Sequence, residues 1–127
     1  MVEFRFVRWL ENYDKYFAVF IVVDTGEEFI VPRSRLIPHP VFEYTHPEVK
    51  DPNRLAELAA ETNHLFSIPI FRWYMHKVWT KKNPMSIDDE DIELAYEFPS
   101  TIDFSCVRDC LLRGEIHDLC VEKCSKF

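Results

Sequence analysis

Four cysteines constrain the fold of this 127-residue chain more than anything else in it. Cys106, Cys110, Cys120 and Cys124 form two C-x3-C pairs, and residues four apart share one face of a helix. The pairs are mirror-placed about Gly114 and Glu115. An antiparallel helical hairpin turning there sets Cys106 opposite Cys124 and Cys110 opposite Cys120, the disulfide pairing that this geometry favours. A second chemistry stays open, because two facing thiolate pairs from Cys106, Cys110, Cys120 and Cys124 also supply a tetrahedral zinc site. Disulfides are the expectation, since zinc knuckles more often use C-x2-C on tight turns. A redox-active pair would also more often be C-x2-C beside a βαβ unit, so the clip is expected to stabilise and not to react.

The remainder of the chain must fold around this clip. A mass of 15.2 kDa suits one core and not two, and 47% hydrophobic residues with 11 Phe require one. The sequence predicts a single α+β domain over 1–127. A β meander over 1–37 leads through a Pro-rich connector over 38–51 to a helical part over 52–98 and a cysteine hairpin over 103–125. Val2, Phe4 and Phe6 alternate with Glu3 and Arg5 as in a half-buried strand. The run from Tyr16 to Val23 reads as the central strand, and Phe29-Ile30-Val31 as a third that Pro32 confines to an edge. The expected sheet is a three-stranded antiparallel meander, or a small open barrel, with four or five helices packed on one face.

Residues 36–52 contain Pro38, Pro40, Pro47 and Pro52 and read as an ordered loop, with His39 and His46 as surface histidines. Asp51 reads as the cap of a helix with Leu55, Leu58, Ala59 and Thr62 on its inner face and Asn63 as its stop. Ser67 reads as the cap of the next, with an inner stripe of Phe71, Tyr74, Met75 and Val78. Ser86 and the acids after it predict a third helix through Glu97, closed by Pro99.

Charge picks out one stretch. The net charge is −7, yet residues 62–87 carry Arg72, Lys77, Lys81 and Lys82 and no carboxylate. Residues 58–63 followed by 67–78 resemble the helix-turn-helix of the winged regulators, with a longer turn through His64-Leu65-Phe66. The resemblance implies DNA binding through Arg72, Trp73, His76 and Lys77, with Lys81 and Lys82 toward phosphates. The competing expectation is a protein-interaction or structural factor, bound to another protein or to itself through its sheet edge or hairpin. Overall acidity opposes duplex DNA and favours reading this stretch as a plain helical pair packed on the sheet, its aromatics core and its lysines a solvated face.

The segment from Cys106 to Cys124 is similar to the twin C-x3-C hairpin of the small translocase chaperones of the mitochondrial intermembrane space, whose inner spacing is longer. That resemblance implies a hairpin with two parallel disulfides and does not extend to the first hundred residues.

Other classes are disfavoured. With Gly at 26 and 114 alone, the chain has no phosphate-cradling loop. It also lacks G-x-S-x-G, H-E-x-x-H and EF-hand patterns, so a non-enzymatic protein without cofactor is expected. No apolar run reaches membrane-spanning length, and the charged start Met1-Val2-Glu3-Phe4-Arg5 does not read as an export signal. The chain is expected in the cytoplasm, or in a virion if viral. Absence of Gln, and 2 Gly against 8 Pro, point to a hyperthermophile, an archaeon or an archaeal virus.

Overall fold

Three strands come first, as expected: β1 (Phe4–Trp9), β2 (Phe17–Val22) and β3 (Glu28–Pro32), antiparallel and ordered β1-β2-β3. The computed structural model describes residues 2–80, 83–95 and 104–124. The sheet is open, not a barrel. In β2, Phe17, Ala18, Val19, Phe20 and Val22 are all buried. Phe20 pairs with Phe6 on one side and Phe29 on the other. A bulge between Phe6 and Arg8 shifts the register so that Trp9 pairs with Ala18 and returns to the face that holds Phe4 and Phe6.

Helices cover both faces, where one was expected. A 3-10 turn (Arg33–Arg35) precedes α1 (Pro40–Thr45), α2 (Pro52–Glu61), α3 (Ser67–Trp79), α4 (Asp89–Ala95), α5 (Phe104–Leu112) and α6 (His117–Lys123). Ala18, Phe20, Val22, Phe29 and Val31 pack against Ala56 of α2 and Ile70 and Trp73 of α3. On the opposite face Phe17 and Ile30 meet Met85, Ile87 and Ala95, so α4 and the segment before it close the second side. Burying a large side chain such as Phe17, Phe29 or Trp73 contributes about 1.5–3 kcal/mol.

Both sheet edges are covered by groups distant in sequence. On the outer edge of β3, the Ile30 N–H donates to Pro84 O at 3.0 Å. The Ile30 carbonyl accepts from Trp73 Nε1 at 2.7 Å. On β1 the Phe6 N–H donates to Asn63 Oδ1 at 2.9 Å. An interaction through a bare sheet edge is thus blocked at these positions.

Several helix expectations shift. The connector is not all loop: His39 Nδ1 accepts from the Val41 N–H and caps α1, and Pro40 suits its first position. His39 also lies against Phe66, and His46 stacks on Phe42, so neither is a bare surface histidine. Asp51 does cap α2, and Asn63 does stop it with φ 58°. The buried stripe of α2, however, is Leu55, Ala56, Ala59 and Ala60, because the small alanines allow close approach to the sheet. Phe66 occupies the N-cap of α3 and Ser67 lies inside the helix, with no side-chain cap bond. The expected extension of the third helix to Glu97 and its closure at Pro99 lie outside the described residues, as do hairpin positions 103 and 125.

Candidate functional site

The helix expected to read DNA is turned inward. Along α3 the buried residues are Pro69, Ile70, Trp73 and Lys77, and the expected inner stripe is left with Phe71 and Val78 exposed. Two contacts hold this rotation, the bond from Trp73 Nε1 to Ile30 O and an ion pair of Lys77. Lys77 Nζ lies 2.6 Å from Asp91 Oδ2 of α4, with side-chain exposures of 0% and 1%. The ammonium also donates to Ser86 O at 3.1 Å and sits 5.2 Å from the Trp73 ring centre. Asp91 is fixed in turn, since Oδ2 accepts from the Asp88 N–H while Asp88 Oδ1 accepts from the Asp91 N–H, each at 3.0 Å. Charges withdrawn from water need this kind of pairing and hydrogen bonding.

Of the residues expected to touch nucleic acid, Trp73 and Lys77 are therefore core groups. Arg72 is held by Glu122 of α6 at 2.7 Å. His76 Nε2 lies 3.9 Å from Glu90 Oε1. Arg72, Trp73 and His76 do border one cleft, with Arg35, Glu90 and Leu94, but its charges are of both signs. Lys81 and Lys82 lie outside the described residues. A single exposed basic face combining Arg72 and Lys77 is absent. Sequence reasoning missed Asp91 as the partner of Lys77. The available signal was that Lys77 falls four after Trp73 and seven after Ile70, on one helical stripe.

The cysteine hairpin takes the expected form. Disulfides join Cys106 to Cys124 and Cys110 to Cys120, and no free cysteine remains. Gly114 turns the chain between α5 and α6 with φ 85°, a conformation that suits glycine. Cys110, Cys120, Cys124 and Val107 bury against Ile37 and Phe66 of the body, forming a satellite core. Glu115 bonds Lys123 and has Arg113 at 3.6 Å. The Lys123 hydrogen bond is the main reason that its carboxyl titrates below the usual range, with partial dehydration opposing. Glu115, Cys110 and Cys120 lie together, but both sulfurs are joined to each other and offer no thiolate to a metal.

Beside the clip lies an apolar groove of about 400 Å³, lined by Val41 and Tyr44 of α1 and Arg108, Leu111 and Leu112 of α5. Val41, Tyr44 and Leu112 are 55%, 82% and 80% exposed. No helix among the described residues is long and apolar enough to cross a membrane. In comparison with known proteins, the chain matches no family model, no curated protein and no solved structure.

Proposed function

We propose that this chain is a small non-enzymatic protein-interaction factor that docks an apolar, carboxylate-bearing segment of another protein between α1 and α5. The observation that carries this reading is the groove, whose exposed Val41, Tyr44 and Leu112 form apolar surface of the kind that marks interaction sites. Tyr44 supplies the sort of rigid aromatic anchor that dominates interface energetics. Arg108 in the same lining calls for a carboxylate on the occupant. A second copy suits the groove less well, because two chains of charge −7 repel. The disulfides hold α5 to α6, so docking loses little ordering entropy there.

The DNA-binding regulator is the weaker reading, since Trp73 and Lys77 are committed to the core and Arg72 to Glu122. Composition and clip together support a hyperthermophilic source, archaeal or viral, in which an intracellular protein or virion component keeps its disulfides.

A photo-crosslinking residue at position 44 tests the reading in extract from the source cells. Its adduct should differ from that of a control placed at Asp24, and the purified adduct protein should bind the wild-type chain. Leu112→Glu, on an exposed side chain, should weaken that binding about tenfold or more. Equal affinity for the variant would overturn the reading. A low-salt duplex shift that Lys81→Ala with Lys82→Ala weakens would restore the regulator.

A further inference from the structure

We propose that, once its disulfides are reduced, the hairpin binds one zinc ion through Cys110, Cys120 and Glu115, the fourth ligand coming from the Cys106–Cys124 pair one helical turn away. The ligand atoms of Cys110, Glu115 and Cys120 all lie within 4.8 Å of one another. Tetrahedral zinc stands about 2.3 Å from sulfur and about 2.1 Å from carboxylate oxygen, which spaces its ligand atoms about 3.5–3.8 Å apart. Small rotations about χ1 therefore bring this set onto one metal without moving α5 or α6.

Glu115 supplies the second observation. Its Oε2 stands 3.1 Å from Cys110 Sγ, yet a disulfide sulfur has no proton to donate. The oxidised hairpin thus aims a carboxylate at a group that gives it no hydrogen bond. In the reduced hairpin the same approach becomes an S–H···O bond or, with zinc, two ligands on one ion. Lys123 and Arg113 flank the carboxylate and offset the negative charge that thiolates would add.

The chemistry balances with a dithiol as reductant. Each disulfide takes two electrons and two protons from one dithiol, giving two cysteine thiols and the oxidised, cyclic form of the reductant. Zinc then displaces the protons of three thiols into solvent and forms three Zn–S bonds and one Zn–O bond. Cys106 is half-buried whereas Cys110 and Cys120 are fully buried, so the Cys106–Cys124 bond is the one attacked first.

The test is native mass spectrometry of the full chain, oxidised or anaerobically reduced, after equimolar zinc is added and excess removed. One zinc is expected on the reduced chain and none on the oxidised. In chelator competition, Glu115→Gln should weaken zinc about tenfold or more, and Cys110→Ser should weaken it further. Cobalt should give an intense tetrahedral visible spectrum in the reduced wild type alone. A reduced chain that takes no zinc, whether circular dichroism finds it folded or unfolded, overturns the proposal. So does zinc affinity left unchanged by Glu115→Gln.

Discussion

The sheet body and the cysteine hairpin solve the same problem with different means. In the body, Phe17, Phe29, Ile30 and Trp73 are buried by packing on both faces of the sheet, and one buried ion pair joins α3 to α4. In the hairpin a small core of Val107 and cysteines leans on Ile37 and Phe66, and two covalent bonds supply what area cannot. The contrast shows where physical information lies. A disulfide pairing follows from spacing within one segment, whereas an ion pair between helices depends on a rotation that only the assembled body fixes.

The largest expected effect tests the body. Lys77→Met leaves Asp91 buried and unpaired, which should cost about 3–5 kcal/mol in urea unfolding. Lys77→Met with Asp91→Leu should regain most of that loss; a double variant as unstable as the single would show that the loss does not come from an unpaired Asp91 carboxylate. Next comes the hairpin. Reducing both disulfides should cost about 2–5 kcal/mol, because the nested loops span 18 and 10 residues and constrain the same segment. The near-ultraviolet signal of Trp73 should survive reduction. Its loss would mean that the body depends on the clip.

Two backbone substitutions sharpen the comparison further down the scale. Asn63→Ala removes the bond to Phe6 and strains a left-handed residue, for about 2 kcal/mol in all. Gly114→Ala meets no neighbouring atom within 4 Å, so it should show the conformational cost alone, about 1 kcal/mol. Equal losses would assign no stability to the Phe6 bond.

The smallest effects are pH-dependent and fall one in each region. Glu115 in the hairpin titrates below its ordinary 4.5. Its contribution is therefore present above that pH and is lost as pH falls through the lowered value. Tyr74 in the body is pushed above its ordinary 10.0, first by burial and then by the Glu27 carboxylate. Its contribution is present below that pH and is lost as pH rises through the raised value. Glu115→Gln should flatten the acid limb of stability against pH, and Tyr74→Phe the alkaline limb. Each exchange leaving its limb unchanged would remove that residue from the account.

Legibility followed the same division. Period-two alternation placed β1, the apolar run placed β2, and Asp51, Asn63 and Gly114 marked turns and helix ends correctly, because each is a local preference. The rotation of α3 was not readable, since the helix is apolar on two sides and Phe71, Tyr74, Met75 and Val78 made as good a stripe as Ile70, Trp73 and Lys77. Trp73 decided between them by reaching Ile30 O, a partner that no spacing announces. The groove escaped notice for a related reason: α1 lay inside what read as a proline loop, so Tyr44 had no helix to be placed on.

The covering of Ile30 also orders events in time. The carbonyl on β3 waits for an indole 43 residues further along, and the N–H waits for Pro84, later still. At translation rates of about 5–20 residues per second, the strand emerges about 2–9 s before its cover. During that interval the nascent meander presents an open, apolar edge to any neighbouring strand. A chain halted after α2 should therefore aggregate, because the indole and carbonyl that cover this edge have not yet been made.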